Sequence, residues 1–146
     1  IICITSGGRM LELAKEYNLF YIQIPSAPRS PRALIGHMMI SLLYALYHTN
    51  LIGAAFIKET ENAIESLDRS EKAIQTEAEI IAKKLKGKLP VIYCDGRLYP
   101  MATRFQNQLN ENAKQLAHVN TFPEMTHNEL EGWHFPENIL PIIQVV

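Results

Sequence analysis

Glu111 and His127 are the side chains of this sequence best suited to acid–base chemistry. Carboxamides frame both: Asn110 and Asn112 flank the glutamate, and Asn128 follows the histidine. A carboxylate and an imidazole are the minimum equipment for moving protons on a small polar molecule near neutral pH. The asparagines can orient that pair or bind hydroxyl groups of a ligand. A plainer account also fits, in which 110–114 ends one helix and 123–129 opens the next, with polar caps.

Those residues need a frame to hold them. Residues 1–4 form a continuous apolar run stopping at Thr5-Ser6-Gly7-Gly8, the pattern of a buried parallel strand ending in a tight turn. Residues 10–17 are apolar at helical spacing, and 20–24 read as a second strand stopped by Pro25. Prolines and serines make 25–31 a loop, followed by a helix from about 32 to 47 with a wide apolar face. The charged, amphipathic stretch 58–86 reads as a connector entering the helix before the next strand, at 89–94. Asp95-Gly96 is that strand's turn, and a helix covers about 99–113. A strand at 117–121, a helical turn through 124–132 and an apolar segment at 139–146 complete the chain. A β-α-β order that occurs twice predicts an α/β fold with doubly wound parallel sheets.

Composition narrows the function. The 146 residues are 47% apolar and 20% charged, with a formal net charge of −1, ordinary for a globular protein. Basic residues are scattered; the one lysine cluster, 83–88, ends a predicted helix, where cations suit the dipole better than they suggest a nucleic-acid patch. His37, His48, Asn50 and Gly53 interrupt the apolar region 33–57, which leaves no clean membrane span of about 20 residues. It reads as a core or dimer-interface helix. Cys3 and Cys94 lack zinc spacing and read as buried thiols in a reducing cytosol. Without a Cys/His cluster, a Walker motif or GxGxxG, neither a metal nor a nucleotide cofactor is expected.

The blocks Asn110-Glu111-Asn112-Ala113-Lys114 and Pro123-Glu124-Met125-Thr126-His127-Asn128-Glu129 resemble the second half of the bifunctional phosphoglucose/phosphomannose isomerases. These are a branch of the sugar-isomerase (SIS) domain proteins. Thr5-Ser6-Gly7-Gly8-Arg9-Met10, Pro28-Arg29-Ser30-Pro31-Arg32-Ala33-Leu34 and Arg104-Phe105-Gln106-Asn107-Gln108-Leu109 agree in order, so the likeness spans roughly residues 4–133. The resemblance implies two SIS-type, flavodoxin-like domains, each incomplete here. Residues 1–57 would be the later part of the first, 58–88 the connector, and 89–146 the earlier part of the second. Family members are about twice this length, and the chain lacks an initiator Met and begins and ends inside apolar runs. The expectation is a piece of a longer protein, inactive by itself.

The resemblance also implies roles. Glu111 matches the base that shuttles a proton between C1 and C2 of a phosphosugar, and His127 matches the ring-opening histidine. Arg32 matches the cation that stabilises the enediolate, with Arg29 as its rival three residues earlier. Ser6, Gly7, Asn110 and Asn128 would line the sugar pocket. The family's main phosphate loop would lie upstream of Ile1 and its late lysine beyond Val146. The expected activity is interconversion of glucose 6-phosphate, and of mannose 6-phosphate, with fructose 6-phosphate through a cis-enediol. It would be carried out in the cytoplasm by a homodimer in which the histidine can come from the partner subunit. The alternative is a non-catalytic SIS module that binds a sugar phosphate as a signal. It has no use for an acid–base pair.

Overall fold

The computed structural model describes residues 1–26 and 31–146 and divides into two compact units, Ile1–Arg69 and Ser70–Val146. Each is α/β with parallel strand pairing, as the repeated β-α-β order predicts.

In the first unit, β1 (Ile2–Thr5) and β2 (Phe20–Gln23) pair in parallel, Ile2 opposite Phe20 and Thr5 opposite Gln23. The crossover between them is α1 (Gly8–Glu16), whose Ala14 is 1% exposed. The small side chain lets the helix approach the strands closely. Gly7 (φ 151°) and Gly8 (φ 65°) make the turn from β1 into α1 with positive φ angles that side-chain-bearing residues rarely adopt. The Thr5 hydroxyl braces that turn, accepting from the Gly7 N–H at 3.2 Å and donating to the Gly7 carbonyl at 3.0 Å. Asn18, in the left-handed region at φ 50°, ends the helix, and the Leu19 N–H caps the Ala14 carbonyl.

Three expectations change here. The strands are not buried: in β1 Ile2 is 40% exposed and the other three residues only half-buried, and Phe20 of β2 is 81% exposed, because α1 and α2 leave much of a two-stranded sheet uncovered. The helix expected from Arg32 instead opens with a 3₁₀ turn, Pro31–Leu34, before α2 (Ile35–His48). The apolar face of α2 is partly exposed at Ile35, Met38, Met39 and Leu42. Where α2 ends, Tyr44 meets the buried Phe56 edge-to-face, ring centroids 5.2 Å apart. Phe56 lies in the first turn of α3 (Ala55–Leu85), so the expected charged connector is one continuous 31-residue helix. No helix among the described residues is long and apolar enough to cross a membrane.

In the second unit, β3 (Leu89–Asp95) is the central strand of a parallel sheet ordered β4-β3-β5, with β4 at His118–Phe122 and β5 at Ile143–Val145. Val91 and Ile92 are both buried, as a strand covered on two faces requires. The helix α4 (Tyr99–Gln108) packs on β3 and β4, and Leu85, Ala102, Ala117 and Met125 are further apolar residues buried in this unit. Asp95 caps the 3₁₀ turn Gly96–Leu98 by accepting the Arg97 N–H at 2.9 Å. After β4 the expected single helical turn is two, α5 (Glu124–His127) and α6 (Glu129–Gly132). They break at Asn128, whose φ −123° and ψ −52° are not helical. The last apolar segment is strand only at β5, because Leu140–Ile142 forms a 3₁₀ turn around Pro141. Cys3 and Cys94 are free thiols, and both are half-buried rather than buried.

Candidate functional site

The helix expected over 99–113 changes pitch before it ends. From Leu109 to Ala113 it widens into a π-turn, and Glu111 is at the centre of that turn, exposed. Lys114 then stops the helix in the left-handed conformation, φ 56° and ψ 33°, which costs a non-glycine residue about 1 kcal/mol. Its Nζ donates to the Glu111 carbonyl at 2.7 Å. Short π segments inside helices recur at functional sites.

The amides around Glu111 build the turn. Asn110 Oδ1 accepts the Ala117 N–H at 3.2 Å, and Asn112 Nδ2 donates to Gln108 Oε1 at 2.6 Å. Gln106 Nε2 donates to the Ala117 carbonyl at 2.7 Å. Gln115 Nε2 reaches the carbonyls of Leu85 at 2.6 Å and Lys88 at 2.8 Å, so the end of α3 and the approach to β3 brace the same turn. A cleft of about 500 Å³ lies beside it, lined in part by Leu85, Lys88, Leu109 and Gln115. Glu111 is not among the lining residues.

His127 ends α5 and is exposed. The segment that bears it leaves the end of β4, whereas the turn that bears Glu111 is tied to the approach to β4. Asn128 Nδ2 donates to Glu124 Oε1 at 3.0 Å, a bond within the segment. Met125, 2% exposed, pins α5 to the core.

Glu129, two positions after His127, joins a polar cluster to which the sequence reading gave no role. Glu129 Oε1 accepts from the Tyr93 hydroxyl at 2.6 Å and lies 3.6 Å from His118 Nε2, and its Oε2 accepts from Asn120 Nδ2. Trp133 Nε1 donates to the Tyr93 hydroxyl at 3.0 Å. Burial alone would raise the Glu129 carboxyl; the bonds from Tyr93 and Asn120 and the nearby His118 outweigh it and hold the group below its ordinary value. Burial, reinforced by Glu129, pushes the Tyr93 phenol up to about 12. A signal was present in the sequence: His118 and Asn120 alternate along one face of a strand. Their partner Tyr93 is set by the β3–β4 register, which joins residues far apart in the chain.

The remaining candidates belong to the first unit. Ser6 is exposed and Gly7 half-buried in the turn after β1, and Arg32 is exposed in the 3₁₀ turn before α2. Arg29 lies outside the described residues. Among the described residues no group of three or more His, Cys, Asp or Glu could hold a metal ion.

Residues 74–146 match the family model described as the bacterial phospho-glucose isomerase C-terminal SIS domain. A bifunctional phosphoglucose/phosphomannose isomerase of Caldicellulosiruptor bescii is 36% identical over 153 residues, covering 100% of this chain and 45% of that protein. One of Aquifex aeolicus is 35% identical over 136 residues, covering 93% and 40%. A D-glucosamine-6-phosphate 4-epimerase of Sulfolobus acidocaldarius is 28% identical over 131 residues, covering 90% and 41%. The chain spans less than half the length of these curated relatives. No solved structure matches it.

Proposed function

The chain belongs to the bacterial phospho-glucose isomerase C-terminal SIS domain family, and on that premise we propose that it is part of a cytoplasmic aldose–ketose isomerase. Its substrates would be glucose 6-phosphate and mannose 6-phosphate, each interconverted with fructose 6-phosphate. The observation that carries the reading is that Glu111 is an exposed residue on a π-turn, braced from both flanks by Asn110, Asn112 and Gln115. A base that shuttles a proton between adjacent carbons needs an accessible carboxylate on a backbone that does not yield.

In this mechanism His127 protonates the ring oxygen and opens the sugar. Glu111 then takes the C2 proton, and the cis-enediol forms. Returning the proton to C1 gives the ketose. Arg32 stabilises the negative charge that develops on the enediolate oxygens, and Ser6, Gly7, Asn110 and Asn128 line the sugar. Rotation about one carbon–carbon bond lets the same enediol serve both epimeric aldoses. A homodimer in which His127 is lent to the partner subunit's site accommodates a histidine and a glutamate that approach β4 from its two ends.

The test is isomerisation in D₂O by the full-length protein, followed by NMR. Fructose 6-phosphate should yield glucose 6-phosphate and mannose 6-phosphate carrying deuterium at C2. Binding without turnover would favour the non-catalytic SIS module instead. Inversion at C4 of glucosamine 6-phosphate, without any aldose–ketose conversion, would align the protein with the relative named as an epimerase.

A further inference from the structure

We infer that Glu129 is a positioning residue for His127, holding the segment that bears the imidazole by accepting hydrogen bonds from two adjacent strands at once. The inference rests on the role proposed for His127 and extends it to a residue with no assigned part.

Helices α5 and α6 span four residues each, too short to persist without outside support. Two anchors provide it, one on each side of His127. Met125 is buried, and burial of that kind is strong but non-directional. Glu129 supplies direction. Tyr93 and Asn120 face each other in the β3–β4 register, so their side chains rise side by side from one face of the sheet. The two carboxylate oxygens of Glu129 span that pair, one accepting from each residue.

The network has a single polarity. Trp133 donates to the Tyr93 hydroxyl, which frees that hydroxyl's own proton for Glu129. Every bond at the carboxylate is one it accepts, the arrangement of an anchor rather than a proton shuttle. Asn128 is the joint between the anchored α6 and the end of α5, and its backbone belongs to neither helix. Without Glu129, rotation at this joint turns His127 away from the substrate.

The experiment measures kcat and KM of the full-length protein on glucose 6-phosphate for Glu129→Gln, Tyr93→Phe, His127→Ala and Glu129→Gln combined with His127→Ala. Tyr93→Phe removes one hydroxyl and leaves the ring beside Phe122 and Trp133, so it tests the network even if Glu129→Gln fails to fold. Expected are losses in kcat of about tenfold for Glu129→Gln and about threefold for Tyr93→Phe, with KM within about twofold. The double variant should be no worse than His127→Ala alone, because residues acting through one group are not additive. Unchanged kcat in both network variants, or losses that multiply with that of His127→Ala, would overturn the inference. If His127→Ala itself retains turnover, the role of His127 falls and this inference falls with it. If His127→Ala is impaired while the network variants are not, only the positioning is wrong.

Discussion

Asn110 Oδ1 accepts the backbone N–H of Ala117 at 3.2 Å, which ties the residue before Glu111 to the residue that precedes β4. The carboxamide thereby acts on the backbone, whatever it does in the sugar-lining role proposed for it. Removing it would loosen the platform under the base, not only a ligand contact.

Glu111→Gln in the full-length protein should reduce isomerisation by about three orders of magnitude or more, the scale of acid–base catalysis when no group substitutes. The amide keeps the shape but cannot take the C2 proton, so sugar-phosphate binding measured by calorimetry should change little. Turnover close to that of the unmodified protein would remove Glu111 as the base.

His127→Ala should impair turnover of cyclic glucose 6-phosphate more than proton exchange on open-chain substrate, since ring opening precedes only the first. Equal losses would place the imidazole's role elsewhere. Mixing this variant with Glu111→Gln subunits tests shared sites. Activity recovered in the mixed dimers requires that the two residues come from different chains.

The Tyr93–Glu129 bond predicts a stability profile with two limbs. The Glu129 carboxyl is held below its ordinary value, so its contribution is complete above an unfolded-state pKa of about 4.3 and is lost as pH falls through the lower folded value. The Tyr93 phenol is raised from 10.0 to about 12, so its contribution is complete below the first value and is lost as pH rises through the second. Melting temperature against pH should flatten on the acid side in Glu129→Gln and on the alkaline side in Tyr93→Phe. Profiles parallel to the unmodified protein's would show that the network does not persist in solution.

Lys114→Val should destabilise the second unit by about 1–2 kcal/mol, because a β-branched residue tolerates φ 56° poorly. Lys114→Gly relieves the same strain and should lie near or above the starting stability. Denaturant midpoints separate the two. A valine variant as stable as the glycine variant would mean the left-handed stop is not there.

The parallel α/β order could be read from the sequence because each apolar run is bounded by its own Gly or Pro signal, as at Thr5-Ser6-Gly7-Gly8 and Asp95-Gly96. Residue type alone marked Glu111 and His127 as chemically capable. The π-turn was hidden: the left-handed residue that stops it is a lysine, and no local pattern separates a π-turn from the last turn of an α-helix. The exposure of β1 was hidden because an apolar run records what a strand prefers, not what covers it. Glu129 escaped because its partners Tyr93 and Asn120 meet only through the β3–β4 register.

Gln115 also sets a timescale. Its one amide nitrogen holds the Leu85 carbonyl, in the final turn of α3, together with the Lys88 carbonyl at the approach to β3. The backbone around Glu111 therefore opens only when a helix end opens with it. Its amide hydrogens should exchange with solvent together with that helix end, and more slowly than those of an exposed loop of the same length. The exposed Glu111 would thus share the opening rate of a helix end that lies thirty positions from Gln115 in the chain.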